Sequence, residues 1–317
     1  MTSAGGGFPA SERSSASGHT AADFTLADFP EKAARWWGDR VAFTGSGTET
    51  TYSAFHDRVR RLAEVLGEAA VKEGTRVGLL SGNDQACFEL FFACAVLGAV
   101  VVPFNVRLSP REIAYQRENA DVDYAVVSPA LSDLAERAGL TAVTHWWLGG
   151  TYDAAIADAN PYPRRTVFPP DTPVSQMYTS GTTGFPKGCV QSQGGWRASA
   201  LNLAFGLRLD RRAVALVQAP FFHAWGFGFI LSHLYAGATA VFPPGTSGDD
   251  YWETIDRYQV TSASLPPSVP RNGLPRDQVT VVFGLAGGFR SSWKRLTEAF
   301  FPKAEYHGVY GMTELTN

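Results

Sequence analysis

Between Tyr178 and Gly188 the chain reads Tyr-Thr-Ser-Gly-Thr-Thr-Gly-Phe-Pro-Lys-Gly, which packs four Ser/Thr hydroxyls, three glycines and one lysine into eleven positions. Glycine lets backbone N–H groups come close to a phosphate, hydroxyls add donors, and Lys187 adds a point charge. Such a segment can grip a phosphate chain. It is not a Walker A loop, G-x-x-x-x-G-K-[ST], because Pro186 stands at the second glycine and Gly188 at the Ser/Thr. A Ser/Thr/Gly surface turn without chemistry is the plain alternative, and the density of donors argues against it. A second segment, Val-Tyr-Gly-Met-Thr-Glu at 309–314, brings a hydroxyl and a carboxylate to a strand end about 130 residues later. A carboxylate there could hold a metal that neutralises phosphate oxygens. Taken alone it would read as a strand-ending turn. A third, Pro-Phe-Phe-His-Ala-Trp-Gly at 220–226, contains His223, as readily structural as functional by itself.

The first segment closely resembles the signature loop of the adenylate-forming superfamily, which includes acyl-CoA synthetases, peptide-synthetase adenylation domains and firefly luciferase. That loop is written roughly [YF]-T-[ST]-G-[TS]-T-G-x-P-K-G, and every position is matched. The resemblance implies that Thr179, Ser180, Gly181, Thr182, Thr183, Gly184 and Lys187 bind ATP. Residues 309–314 resemble the family's Y-G-x-T-E motif. By that resemblance Tyr310 packs on adenine, Gly311 and Met312 border the nucleotide, and Thr313 contacts the α-phosphate. Glu314 then binds Mg²⁺, with Thr182 as a second contact. Residues 220–226 resemble the P-x-F-H-x-x-G segment beside the acyl pocket, so His223 would border the carboxylate and the thiol tunnel. Residues 221–227 carry no acid, whereas domains that activate α-amino acids usually hold an aspartate there, so such a substrate is disfavoured. Gly287 and Gly288 follow the G-G-A-P turn that lines adenine, although Phe289 and Arg290 replace the usual small residue and proline. Pro266, Pro267, Pro270 and Pro275 argue against the helix that the family commonly places along the substrate pocket. Trp225, Phe227 and Phe229 are candidates for an apolar pocket, but aromatic residues at helical spacing are more often core.

The function implied is ATP-dependent activation of a small carboxylic acid as an acyl-adenylate, followed by thioester formation with coenzyme A. Loading of an acyl carrier protein, or a nucleotide- or acyl-binding module without turnover, are the alternatives. The resemblance covers about residues 25–317. Family members normally continue through a small barrel, a T-G-D motif and a C-terminal lid carrying a lysine. Lys294 and Lys303 are the only lysines after the loop and neither suits that role, so the chain is expected to be a portion of a longer protein.

The elements that would position these residues alternate between helical and strand periods. Phe55, Val59, Leu62 and Leu66 share one helical face, opened by Ser53 and stopped by Gly74. Strands are predicted at 77–80, 99–104 and 124–128, with helices at 85–97 and from a Ser109–Glu112 capping box to 119. After an Ala/Asp/Pro-rich connection at 149–173, strands are predicted at 174–178, 213–218, 238–242, 261–265, 279–285 and 304–310. Helices are predicted at 196–205, 227–235, 251–258 and 291–300. The fold class expected is α/β. Two tandem parallel-sheet subdomains, 23–170 and 171–317, follow a disordered tail at 1–22, without the barrel and lid.

Composition agrees. Basic and acidic residues number 27 and 30, net −3, which disfavours a nucleic-acid binder held by bulk charge. The 45% apolar content supports a packed core. Three cysteines without a CxxC pair speak against a disulfide scaffold or zinc ribbon and for a cytoplasmic protein. The longest apolar run, 13 residues at 90–102, is too short to span a bilayer. The first twenty residues lack the apolar stretch of a signal peptide.

Overall fold

The computed structural model describes residues 25–45, 47–163, 167–179, 186–264, 274–285, 298–309, 311 and 313. The expected tail at 1–22 lies outside them, as do the proline-rich 265–273 and most of the helix expected at 291–300. Two sheets organise the chain. Six strands, β3 (Arg76–Leu80), β4 (Val100–Pro103), β5 (Val122–Val127), β6 (Thr144–Trp147), β7 (Pro173–Thr179) and β8 (Lys187–Ser192), run in the order β6-β5-β3-β4-β7-β8. Seven others, β1 (Val41–Gly45), β2 (Thr48–Thr51), β9 (Val214–Leu216), β10 (Thr239–Phe242), β11 (Ser262–Ser264), β12 (Val281–Leu285) and β13 (Glu305–Val309), run β13-β12-β11-β9-β10-β1-β2. All pairings are parallel except the edge pairs β1–β2 and β7–β8. Strand membership is interleaved across residue 170: β1 and β2 join the later strands, while β7 and β8 close the earlier sheet.

The period of two along each strand decides which layer a side chain enters. Leu79, Val101 and Val126 of the six-stranded sheet, and Ala215, Phe283 and Ala240 of the other, belong to one shared core. Helices α2 (Tyr52–Glu68), α3 (Gln85–Leu97), α7 (Gln193–Gly206) and α8 (Ala224–Tyr235) contribute to the same core. Leu80, Val102 and Val127 point the opposite way, onto α4 (Pro110–Asn119) and α5 (Ser132–Arg137). Leu216 and Val282 likewise meet α9 (Gly248–Tyr258). Helix α3 is buried on nearly every side, which explains its unbroken apolar sequence. Its one acid, Glu89, is fully buried and accepts hydrogen bonds from Arg58 at 2.5 and 3.0 Å, Gln85 at 3.0 Å and Tyr152 at 2.9 Å. Asp84 caps the helix through Ala86 N–H at 2.8 Å, and Gly98 ends it at φ +68°, where a side chain would also collide with Phe168.

Several boundaries differ from expectation. Helix α2 is capped by Thr51, not Ser53, because starting two residues earlier buries Tyr52, whose hydroxyl donates to Ala238 O at 2.7 Å. It ends at Glu68, so Gly74, at φ +78°, serves the following turn and does not stop the helix. The 149–173 connection contains α6 (Thr151–Asp158), anchored by buried Tyr152 and Ile156. A helix α1 (Phe29–Trp37) precedes β1. Among the described residues the cysteines are free thiols, and no helix is long and apolar enough to cross a membrane.

Candidate active site

The two arms of the glycine-rich segment are neighbouring strands. Thr179, half-buried at the end of β7, pairs across the ladder with Lys187, exposed at the start of β8, so residues 180–186 join an antiparallel pair. Ser180, Gly181, Thr182, Thr183 and Gly184 lie outside the described residues. The arms are braced from α4. The Tyr178 hydroxyl sits 2.7 Å from Asn119 Oδ1 and accepts from Gln176 Nε2 at 3.2 Å. The Tyr115 hydroxyl donates to Pro186 O at 3.4 Å. Burial pushes the Tyr178 phenol up to about 12, so it remains a donor at neutral pH.

Residues 311 and 313 follow the end of β13 in the other sheet, yet the structure brings Thr313 to β8. The Gln191 side-chain amide donates to Thr313 O at 3.3 Å. Gln191 lies four residues along the strand from Lys187, roughly 13 Å for extended backbone. The hydroxyl-bearing turn and the cationic arm of the loop therefore flank one edge strand. Gly311 is exposed and Thr313 half-buried. Tyr310, Met312 and Glu314, with Gly287 and Gly288, fall outside the described residues. Among the described residues no group of three or more His, Cys, Asp or Glu side chains could hold a metal ion.

His223 stands at the N-cap of α8, exposed, without a side-chain capping bond. Desolvation, with the ring against Phe222, and then the nearby charge of Arg107 hold its pKa below the ordinary histidine value. It is therefore neutral at pH 7. Arg107 comes from the loop after β4, so loops from both sheets converge here. Asn83, after β3, makes the same crossing: its amide donates to Ala219 O at 2.9 Å and accepts from Phe221 N–H at 3.0 Å. Gly226 has a steric cause, since a Cβ there would lie 2.6 Å from Pro220 O and 2.8 Å from Ala219 O.

Of the aromatic candidates, Phe227 and Phe229 are core, each 3% exposed. Phe227 packs on Phe88, Phe91 and Trp196. Trp225 is half-buried and stacks on Phe283 at 5.6 Å. Sequence reasoning missed Asn83, Arg107 and Gln191. The only signal for the last was a glutamine inside a short strand, where an apolar residue belongs. Together the loops stand at the carboxyl ends of parallel strands, where open α/β sheets bind ligands.

The AMP-binding enzyme family matches residues 29–317. A fatty acid–[acyl-carrier-protein] ligase, ScoC, from Streptomyces coeruleorubidus is 29% identical over 286 residues, covering 86% of this chain and 55% of that protein. A feruloyl-CoA synthase from Amycolatopsis sp is 30% identical over 268 residues, covering 82% and 48%. The chain thus spans about half the length of these relatives. Among solved structures, a candidate long-chain-fatty-acid CoA ligase from Rhodopseudomonas palustris CGA009 superposes with a TM-score of 0.83 at 26% identity, over 94% of this chain and 78% of that one. A benzoate CoA ligase from Burkholderia xenovorans LB400 shares the fold, with a TM-score of 0.83 at 20% identity over 93% and 62%. With the match running through every segment of the site, the chain belongs to the AMP-binding enzyme family.

Proposed function

We propose that this chain carries the nucleotide- and acid-binding part of an AMP-forming acid–thiol ligase. A substrate carboxylate oxygen attacks the α-phosphorus of ATP; the P–O bond to the β-phosphate breaks, leaving an acyl-adenylate and pyrophosphate. A thiolate then attacks the acyl carbon and AMP departs, giving the thioester. Activation is needed because a carboxylate oxygen is a poor leaving group and AMP a good one. The first step brings two anions together, so charge neutralisation and positioning dominate. Lys187 and the backbone N–H groups of 180–184, with the hydroxyls of Thr179, Ser180, Thr182 and Thr183, are assigned to the phosphates. Thr313 is assigned to the α-phosphate, Tyr310, Gly287 and Gly288 to adenine, and Gly311 and Met312 to the nucleotide edge. One carboxylate and one hydroxyl, Glu314 and Thr182, are hard oxygen donors suited to Mg²⁺, which when bound neutralises phosphate charge. Neutral His223 borders the carboxylate. The acceptor is coenzyme A or an acyl carrier protein: the two relatives named above are, by name, one of each kind. A cytoplasmic location accords with free thiols and this chemistry.

The observation that carries the reading is the Gln191–Thr313 contact, which supports one shared cleft for the two segments. The test is exchange of labelled pyrophosphate into ATP across a panel of aliphatic and aromatic acids. Acid-dependent exchange, mostly abolished in Glu314→Ala, is the expected outcome. ATP binding without exchange on any acid would instead favour the module without turnover.

A further inference from the structure

We propose that Gln191 is a positioning residue that registers the Thr313 turn against the phosphate-binding hairpin, through a directed relay running Trp196–Ser175–Gln191–Thr313. The Trp196 indole N–H donates to Ser175 Oγ at 2.8 Å, Ser175 Oγ donates to Gln191 Oε1 at 2.7 Å, and Gln191 Nε2 donates to Thr313 O at 3.3 Å. Trp196, Ser175 and Gln191 are 0%, 1% and 0% exposed. Water therefore cannot take the place of a missing partner at those three side chains.

The direction of the relay follows from what each group can do. An indole N–H only donates, so the serine oxygen must accept from it. The single serine proton is then available for Gln191, whose oxygen must face Ser175. That orientation turns the NH₂ end of the amide the other way, toward the Thr313 carbonyl. Ser175 and Gln191 sit opposite each other in the ladder of β7 and β8, so the relay also ties together the strands on either side of the loop. Trp196 comes from α7, which packs on α8, so the origin of the relay is rigid. An amide buried on a strand is costly unless its partners are in place. An apolar residue would serve the strand equally well. The polar choice is accounted for by what it holds, a backbone carbonyl of the turn assigned to the α-phosphate.

The consequence for nucleotide binding rests on the function proposed above; the geometry does not. The experiment is therefore hydrogen exchange, read by mass spectrometry on the 317-residue chain without nucleotide. In Gln191→Met, a near-isostere without donors, amides of the 309–317 peptide should exchange at least tenfold faster than in the unaltered chain, while those of β9 and β10 keep their rates. Gln191→Glu supplies a rescue that a space-filling role would not show. Its protonated carboxyl can accept from Ser175 and donate one O–H to Thr313 O. It should protect the peptide at pH 5 and lose that protection at higher pH as the carboxyl ionises, whereas the Gln191→Met ratio stays flat. Should Gln191→Met not fold, Ser175→Ala unorients the same amide and should accelerate the same peptide. Exchange within twofold of the unaltered chain in the folded variant, or no recovery in Gln191→Glu at pH 5, overturns the proposal. With ATP and Mg²⁺ added, Gln191→Met should bind about tenfold more weakly. If the unaltered chain binds no ATP, the functional reading fails and the positioning role stands or falls on exchange alone.

Discussion

The two ends of α8 each carry a histidine, and they live in opposite environments. His223 opens the helix on the cleft side, exposed, facing the charge of Arg107. His233 lies in the last turn, fully buried, its Nδ1 2.8 Å from Phe229 O and its Nε2 without a partner among the described residues. Both pKa values are lowered, and for both desolvation is the leading cause. A depressed histidine is thus no pointer to chemistry on its own. The difference lies in what the ring can reach: one faces the strand ends where ligands bind, the other a core of aromatic side chains.

The largest test of this contrast is at the root of the open end. Phe227 stacks on Phe88 at 4.7 Å and meets Phe91 at 4.5 Å and Trp196 at 5.0 Å, so it joins helices α3, α7 and α8. Phe227→Ala should cost about 3–5 kcal/mol in urea unfolding, the price of the lost contacts and the cavity left between both sheets. A loss below about 1 kcal/mol would mean that the open end of α8 is not rooted in the core.

Next in size is the buried end. Burial holds His233 down to about 4, against an ordinary value near 6.5 in the unfolded chain. Between those values the unfolded chain takes a proton that the native ring refuses, so stability falls as pH drops. The contribution is absent above about 6.5 and complete below about 4, where it amounts to about 3 kcal/mol. The stabilities of the unaltered chain and His233→Leu, followed from pH 7.5 to 4, should diverge by about 3 kcal/mol. Parallel curves would show that the ring protonates in place.

Asn83 comes third, because it holds the entry to α8 by two hydrogen bonds on a half-buried loop. Asn83→Ala leaves Ala219 O and Phe221 N–H without those partners and should cost about 1–2 kcal/mol. Asn83→Asp keeps the acceptor for Phe221 but turns a second acceptor toward Ala219 O, so it should cost no less than Asn83→Ala. A clearly smaller loss in Asn83→Asp would mean that the bond to Ala219 O contributes little.

These positions also mark where the sequence was legible. Helix α3 spans 85–97 as expected, although the apolar run at 90–102 passes through its end into β4, since a helix buried all round needs no amphipathic pattern to be seen. The Ser109 capping box opens α4 as read, with Glu112 returning a bond to Ser109 N at 2.8 Å. Strand β8 escaped notice because its single buried side chain is Gln191 and its start is the lysine of the loop. Helix α6 escaped because eight Ala- and Asp-rich residues have too few apolar anchors to show a period. The hydroxyl- and glycine-rich segment could be read because its chemistry is local. The contacts that register it and the two other site segments, Tyr178 with Asn119, Gln191 with Thr313 and Phe221 with Asn83, join chain positions 59, 122 and 138 residues apart and leave no local trace.

The smallest effect on stability is expected at His223, and there the contrast becomes functional. The residue is exposed overall and its side chain caps nothing, so His223→Ala should change unfolding stability by less than about 0.5 kcal/mol. If the neutral imidazole donates to the substrate carboxylate, the same variant should weaken acid binding about tenfold, since a hydrogen bond to a charged group contributes about 1.5 kcal/mol. Pyrophosphate exchange at varied acid concentration separates the two quantities. Arg107→Gln sharpens the assignment further. Arg107 helps to depress His223, so removing its charge should raise that pKa and move the acid limb of the exchange profile to higher pH. An acid limb unmoved by Arg107→Gln and lost in neither variant would return His223 to the same structural status as His233.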